Sequence, residues 1–347
     1  MLFRSISQDL QLYDDNVEKL EAETRIAMAE SAERAALDFD PRISNSEGAG
    51  FSSYSGRRVF ANSLGFVGSY RLSSCGLSVS PVAKEGESME RDYWYSAARA
   101  FAKLESPESV GRKAAERALR RLNPRKPSTQ KAPIIFEPRT AQALLGDLFD
   151  AVNGSAIYKH ASFLAGKLGE KIAADSITIV DDATIPGLFG STPFDDEGVT
   201  SQRTVVVENG VLKSYLLNAY TARKLGMKTT GNASRGITGN AGVGPGNFFL
   251  EAGTKSPADI LKSIPRGLYV TELIGGGGDT VTGDYSSGAA GLWIENGELA
   301  YPVSEITIAG NMKQMLMDIE AIGNDLEFRT SIAAPTLLIR EMTISGQ

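Results

Sequence analysis

Histidine and cysteine are nearly absent from this sequence of 347 residues, which contains one of each. The single cysteine, Cys75, cannot form an intrachain disulfide, and its isolation fits a reducing compartment. Cys75 and His160 together cannot supply a structural zinc site, which takes four Cys or His ligands. The His-Glu-x-x-His helix of zinc proteases needs two histidines and is therefore excluded. Any nucleophilic triad or dyad that depends on an imidazole would have to use His160.

Long apolar runs are also missing, and none approaches the roughly 20 residues that a membrane-spanning helix requires. The first residues lack the apolar stretch and cleavage site of a secretory signal peptide, so we expect a cytoplasmic protein without membrane contact. The formal net charge of −6 argues against a general nucleic-acid binder. Basic residues cluster between Arg112 and Lys126, but no aromatic side chains interleave with them, so we interpret the cluster as a solvated helix face.

Glycine is plentiful, with 36 residues against 14 prolines, which favours many turns in a β-rich body. Periodicity and capping residues predict helices over 14–38, 106–122 and 140–151, and antiparallel strands within 43–83. Asn-Gly pairs at 209–210 and 296–297 predict hairpins with type I′ turns. The linker-like composition of 123–133 indicates a domain boundary. We therefore predict an α+β fold, with an N-terminal α/β portion over 1–128 and a β-rich domain of curled antiparallel sheets with a few helices over 129–347.

Carboxylates cluster in the segment Asp195-Asp196-Glu197, which follows Asp181-Asp182 along the chain. Such groups can hold Mg²⁺ or Ca²⁺, or act as general acid and base. The spacing matches no EF-hand loop. We favour a solvent-facing turn whose Asp side chains accept hydrogen bonds from nearby backbone N–H groups. The three residues 195–197 remain candidates for a substrate cleft.

The most unusual composition is a glycine-rich segment that holds eight further cleft candidates: Gly275, Gly276, Gly277, Gly278, Asp279, Thr282, Asp284 and Ser286. Glycine lets a backbone approach a ligand closely, and its N–H groups can cradle an anion. The segment lacks the Gly-Lys-Ser/Thr ending of a phosphate-binding loop and the Gly-x-Gly-x-x-Gly of a dinucleotide site. A loop beside a cleft and a plain β-turn both fit this composition.

His160 follows Ser155 and Lys159, which would share a helical face at a spacing of four residues. A Ser–His or Ser–Lys nucleophile is therefore conceivable. However, no nucleophile elbow is present, and no acidic residue nearby would orient the imidazole. We favour a histidine without a catalytic task, and we retain His160 among the cleft candidates.

Several motifs occur together in one order along the chain, from about Leu12 to the C-terminus, and they resemble the TldD/PmbA family. The resemblance is greater to its PmbA (TldE) branch, once described as a modulator of DNA gyrase. The motifs include Met89-Glu-Arg-Asp-Tyr-Trp-Tyr-Ser, Pro193-Phe-Asp-Asp-Glu-Gly, Tyr220-Thr-Ala-Arg-Lys-Leu-Gly, Val281-Thr-Gly-Asp-Tyr-Ser-Ser-Gly-Ala, Glu305-Ile-Thr-Ile-Ala-Gly-Asn and Gly323-Asn-Asp-Leu-Glu. The resemblance implies a cytoplasmic metalloprotease system in which a TldD-type subunit carries zinc on a His-Glu-x-x-x-His helix, with a Cys near its C-terminus as a further ligand. A PmbA-type subunit pairs with it, and the two enclose a chamber that admits unfolded peptide.

This sequence departs from the TldD pattern at each metal position. The stretch that should match the zinc helix, Gly154 to Gly169, holds one His, and no Cys follows Asn324. The resemblance, with these ligands missing, implies a non-catalytic, metal-free subunit in a homo- or heterodimer, with zinc in a TldD-type partner. We expect such a subunit to guide an extended peptide by strand addition to an edge near Gly275–Gly278. The chain also has less sequence before the motifs than relatives usually have. Two alternatives stay open: a self-sufficient hydrolase that uses carboxylates or Ser155, Lys159 and His160, and a regulatory protein-binding module.

Overall fold

The computed structural model describes residues 9–346, and the expectation about a leader segment concerns residues that lie mostly outside this range. The described chain divides into two compact units. The first contains the residues up to Pro124 together with Pro186–Phe189, and the second contains Arg125–Ile185 and the residues from Gly190 onward. Both units combine helices and sheets, which confirms the predicted α+β class.

The first unit is a sheet packed against helices. Its helices are α1 (Asp15–Glu18), α2 (Ala22–Leu37) and α3 (Pro107–Leu119), and its strands are β1 (Ile43–Ala61), β2 (Val67–Glu85), β3 (Ser88–Arg91) and β4 (Trp94–Ala98). The strand order is β1-β2-β3, and β4 also pairs with β2. The core lies between the helices and one sheet face. It contains small side chains from α2 and α3 and apolar ones from the sheet, among them Ala32, Ala36, Ala114, Ala118, Leu77 and Val79.

Close helix packing explains the alanine-rich sequence of α2. A Cβ added at Gly111 of α3 would lie 2.3 Å from the carbonyl oxygen of Ala32, so only glycine fits there. Helix α3 begins as predicted, because Ser106 Oγ accepts the N–H of Ser109 at 3.2 Å and Pro107 occupies the first turn.

The single helix predicted over 14–38 is wrong, since the chain forms two helices there. Asp14 caps α1, and its carboxylate also accepts the backbone N–H of Phe101 at 2.9 Å. Arg71 of β2 contacts Glu18 at 2.5 Å. These long-range bonds hold the first turn against the sheet, and Glu21 adopts an extended conformation before α2 begins.

The second unit contains the remaining elements. Its helices are α4 (Pro138–Val152), α5 (Gly154–Tyr158), α6 (Ala219–Leu225), α7 (Pro257–Lys262) and α8 (Met312–Met317). Its strands are β5 (Gln130–Phe136), β6 (Ile179–Asp182), β7 (Arg203–Glu208), β8 (Val211–Leu212), β9 (Ala233–Ser234), β10 (Gly242–Val243), β11 (Phe248–Leu250), β12 (Arg266–Gly278), β13 (Asp284–Glu295), β14 (Glu298–Asn311), β15 (Ile319–Ile322), β16 (Ile332–Ala333) and β17 (Leu337–Ser345).

Two sheets organise this unit. A six-stranded sheet has the order β14-β13-β12-β5-β17-β15, and an additional pairing of β14 with β17 curls it. A five-stranded sheet has the order β16-β11-β6-β7-β8. The apolar side of α4 shares one core cluster with both sheets, so Leu148 and Phe149 are buried there with Phe248 and Leu268. Helix α4 is therefore fixed against the sheet that carries the glycine-rich segment.

Both Asn-Gly hairpins are confirmed. Asn209 and Gly210 have φ values of +50° and +78°, and Asn296 and Gly297 have +52° and +78°. Two consecutive residues with positive φ are what a type I′ turn requires. The turns join β7 to β8 and β13 to β14.

Candidate functional site

The glycine-rich segment forms the end of β12, next to the loop that connects β12 to β13. Gly275, Gly276 and Gly277 have φ values of +62°, +73° and +134°, and the register with β13 shifts between Ile274 and Gly277. A Cβ at Gly276 would lie 2.1 Å from the carbonyl oxygen of Ser286. Glycine is required here because these residues adopt left-handed backbone conformations and because the backbones of β12 and β13 approach closely at Gly276.

The loop that follows is closed by its own polar side chains. Asp279 Oδ1 accepts the N–H groups of Val281 and Thr282 at 2.8 and 2.7 Å, and these bonds hold the pKa of Asp279 below its ordinary value. The N–H of Asp284 is donated to Thr282 Oγ1 at 3.1 Å, and Asn311 donates to the Asp284 carboxylate at 2.9 Å. These three candidates thus shape the loop, whereas Ser286 lies exposed on β13.

Sequence reasoning missed a carboxylate of α4 that reaches this hairpin. Asp147 Oδ2 accepts the backbone N–H of Gly278 at 2.9 Å. Burial raises the pKa of Asp147, and burial also raises the pKa of Asp150, three residues later on the helix. The signal that could have found them is a pair of carboxylates, spaced by three residues, among the apolar residues that fill the second half of the helix.

The segment around His160 lies next to the same loop. The N–H of Phe163 is donated to the carbonyl oxygen of Thr280 at 2.9 Å. His160 itself is exposed, has a φ of +53°, and donates its backbone N–H to Ile157 after the short helix α5. Lys159 is exposed as well, and its ammonium lies 5.8 Å from the ring centre of Tyr158. The structure shows no hydrogen bond between the side chains of Ser155, Lys159 and His160 within the described chain.

The acidic segment 195–197 connects other parts of the second unit. Asp195 accepts the N–H groups of Val199 at 2.8 Å and of Ala233 at 3.0 Å. Glu197 accepts the N–H of Ala219, at the start of α6, at 2.7 Å, and Asp196 accepts that of Arg235 at 2.7 Å. The interpretation of a solvent-facing turn was wrong for Asp195, which is 5% exposed. Its backbone hydrogen bonds agree with that interpretation, and burial raises its pKa.

Asp181, at the end of β6, is a second buried carboxyl group in this unit. Its Oδ2 accepts the side-chain amide of Asn232 at 2.7 Å, while its Oδ1 has no hydrogen-bond partner among residues 9–346. Burial raises the pKa of Asp181 to about 7, and the neighbouring charge of Asp182 adds to this effect. The Asp181 carboxyl group is therefore partly protonated near neutral pH, whereas an ordinary aspartate is fully ionised there.

The described residues do not fit a zinc ion. No group of three or more His, Cys, Asp or Glu side chains is arranged to hold a metal in the part of the chain that the structure covers. Catalytic zinc sites use three protein ligands and an open position. Asp147 and Asp150 offer two carboxylates, and one of them is already bonded to Gly278. Cys75 is buried in the first unit, and burial raises the pKa of its thiol to about 11.

No helix within residues 9–346 is both long and apolar enough to cross a membrane.

The comparisons with known proteins agree with one another. Residues 129–346 match the PmbA/TldA metallopeptidase C-terminal domain, and residues 15–122 match the central domain of the same family. The chain is 46% identical over 322 residues to metalloprotease PmbA of Escherichia coli O157:H7, covering 93% of this chain and 70% of that protein. It is 39% identical over 339 residues to a PmbA homologue of Haemophilus influenzae, and the match covers 97% of this chain and 73% of that protein.

Solved structures show the same relationship. A candidate modulator of DNA gyrase from Bacteroides thetaiotaomicron superposes with a TM-score of 0.90 at 32% identity, covering 98% of this chain and 75% of that one. A similar protein from Thermotoga maritima gives 0.89 at 32% identity, with 97% and 78% covered. TldE from Thermococcus kodakarensis shares the fold, with a TM-score of 0.85 at 24% identity and 96% and 76% covered. The sequence motifs, the fold and these matches place the chain in the PmbA/TldD metallopeptidase family.

Proposed function

We propose that this chain is the PmbA/TldE-type subunit of a two-part peptidase and helps to enclose and guide unfolded peptide for a TldD-type subunit that carries the metal. The observation that supports this most strongly is a combination of two facts. The chain matches a metallopeptidase family, yet its described residues include no set of side chains arranged to bind zinc. One histidine and one buried cysteine leave too few soft donors for a catalytic zinc. In this proposal the chain holds no cofactor of its own and supplies no catalytic residue.

The glycine-rich end of β12 supports a role in peptide binding. Strand β5 pairs with β12 only from Leu268 to Val270, so beyond Val270 the strands of the described chain leave one edge of β12 unpaired. Gly275 is exposed, and a Cβ there would meet nothing within 4 Å. An extended peptide that adds to such an edge gains main-chain hydrogen bonds without side-chain obstruction. The cleft candidates from Gly275 to Ser286 belong to this proposed surface, and His160 lies on the adjoining segment.

Reconstitution with a TldD-type chain tests the proposal. We expect the mixture to cleave an unfolded fluorogenic peptide, and we expect a chelator to abolish this cleavage. This chain alone should not cleave the peptide. Gly275→Val should raise KM about tenfold or more, because the side chain occupies the strand edge. Gly226→Val is the matched control, since Gly226 has a similar φ of +66° and equally open space at the end of α6. Equal KM values for the two variants would contradict the peptide surface.

The same assay separates the alternatives. A self-sufficient hydrolase would cleave peptide without a partner and would lose activity in His160→Ala or Asp196→Ala. A regulatory protein-binding module would bind a protein target, and the mixture would show no gain in cleavage. We further propose that the chain acts in the cytoplasm, in a homo- or heterodimer, and that its two domains span 1–128 and 129–347.

A further inference from the structure

A pair of tyrosines joins the short helices α5 and α6 at the surface of the second unit. The rings of Tyr158 and Tyr220 meet edge to face, with their centres 5.8 Å apart. Their side chains also share a hydrogen bond, which raises the pKa of Tyr158 above its ordinary value. Tyr220 nevertheless stays 45% exposed, and Tyr158 is half-buried. The two rings therefore form an ordered aromatic platform that a ligand can reach.

Two ammonium groups flank this platform. Lys159 Nζ lies 5.8 Å from the ring centre of Tyr158, and Lys224 Nζ lies 5.5 Å from that of Tyr220. Both lysines are exposed, and neither pairs with a carboxylate among residues 9–346. We call the two rings and the two ammonium groups the aromatic–cation surface. Its charges face rings that neutralise nothing, so they are available to an anionic group.

The two segments that form this surface contain no acidic residue. Residues 151–169 and 209–250 include seven Lys and Arg residues and no Asp or Glu, although the whole chain has a formal net charge of −6. Arg223 in α6 and Lys228 after it are exposed and extend the positive charge beyond the platform. A positive surface on an acidic chain raises the local concentration of acidic ligands.

The same segment of chain leads from this surface to the glycine-rich hairpin. Phe163, five residues after Tyr158, donates its N–H to the carbonyl oxygen of Thr280 at 2.9 Å. Lys313, at the start of α8, places its Nζ 5.9 Å from the ring centre of Phe163. A third pair of a cation and an aromatic ring thus lies at the loop that follows Gly278. The aromatic–cation surface is therefore connected through Phe163 to the proposed peptide surface.

We propose that the aromatic–cation surface binds an acidic segment of the unfolded peptide, so that the chain selects substrates with Asp or Glu residues beside the portion held at β12. Lys159 and Lys224 attract the carboxylates, and the rings of Tyr158 and Tyr220 cover the apolar parts of the peptide side chains. This inference names a substrate class and rests on the proposed function.

A single-stranded nucleic acid is the other ligand that combines aromatic stacking with negative charge. The acidic segment 195–197 argues against it. Glu197 accepts the N–H of Ala219, immediately before Tyr220, and Asp196 accepts that of Arg235. These carboxylates interrupt the positive surface near the start of α6, where they would repel a continuous phosphate backbone. A peptide with a short acidic segment avoids this repulsion.

Fluorescence anisotropy of labelled peptides added to the full chain tests the proposal. Three versions of one unfolded peptide carry Glu, Gln or Lys at the same positions. We expect the Glu peptide to bind about tenfold or more tightly than the Gln peptide, with a ratio that falls as salt is added. The double variant Lys159→Glu/Lys224→Glu should reverse the order, so that the Lys peptide binds best.

Lys255→Glu/Lys262→Glu is the matched control, because it makes the same change of charge at exposed lysines before and within α7. This control should keep the wild-type order of the three peptides. Equal affinities of the Glu and Gln peptides for the wild type, or the same reversal in the control, would overturn the proposal.

Cleavage by the mixture with a TldD-type chain separates a failure of this inference from a failure of the proposed function. We expect a lower KM for the Glu peptide than for the Gln peptide, and Tyr220→Ala should raise the KM of the Glu peptide more than Tyr220→Phe does. Cleavage of both peptides with equal KM would refute the acidic preference and leave the proposed function intact, whereas cleavage of neither would refute both. A single-stranded oligonucleotide that displaces the Glu peptide and binds more tightly would also overturn the proposal.

Discussion

Gly276→Ala is the substitution that most directly tests the geometry of the glycine-rich hairpin. Gly276 has a φ of +73°, and an alanine Cβ there would lie 2.1 Å from the carbonyl oxygen of Ser286 on the paired strand. The left-handed conformation costs a non-glycine residue about 1–2 kcal/mol. The added Cβ would also lie far inside van der Waals distance of a backbone atom, which cannot move away as a side chain could. The two strands would have to separate locally, so we expect the substitution to lower the free energy of unfolding by about 3 kcal/mol or more in total.

Gly275→Ala is the matched control for this effect. Gly275 has a φ of +62°, but nothing lies within 4 Å of the added Cβ. Its cost should therefore stay at the conformational penalty of about 1–2 kcal/mol. Urea unfolding measures the difference in free energy, and hydrogen exchange of β12 and β13 locates it. Equal stabilities of the two variants would refute the close contact between Gly276 and Ser286.

Three further predictions concern buried groups. The pKa of Asp181 is raised to about 7 in the folded chain from an ordinary 3.8, so its favourable contribution is complete below pH 3.8 and is lost as the pH rises towards 7. Urea titrations should show the stability of the wild type relative to Asp181→Asn falling by up to about 4 kcal/mol between pH 4 and pH 8, and a constant difference would contradict the raised pKa. The Cys75 thiol, whose pKa burial raises to about 11, should not react with a thiol reagent at pH 8 until the chain is denatured, and rapid labelling of the native protein would be inconsistent with its burial. Arg117→Ala should destabilise the first unit by about 3–5 kcal/mol, because it leaves the buried Asp92 without the guanidinium that now lies 3.1 Å away; a loss below about 1 kcal/mol in thermal unfolding would argue against that buried pair.

Local signals in the sequence predicted several elements correctly. Ser106 and Pro107 mark the start of α3, and both Asn-Gly pairs form the expected turns, because each of these features is decided by a few neighbouring residues. The break between α1 and α2 was missed, since the bonds that hold α1 come from Phe101 and Arg71, far along the chain. Local propensity carries no information about such partners.

The same limit applies to the candidate site. The unusual glycine content identified the segment from Gly275 to Gly278, but the contact of Gly278 with Asp147 joins residues that are 131 positions apart. The buried Asp195 likewise accepts a hydrogen bond from the backbone of Ala233 in β9, which is 38 positions further along the chain. Composition could identify a segment that permits close approach, whereas the groups that approach it are set by the tertiary fold.

Metal content measured by mass spectrometry tests the central claim most directly. The purified chain, loaded with zinc and then dialysed, should retain far less than one zinc per chain, and the mixture with a TldD-type chain should retain zinc and cleave peptide. A solitary chain that holds one zinc per copy and cleaves peptide in a chelator-sensitive manner would contradict the account.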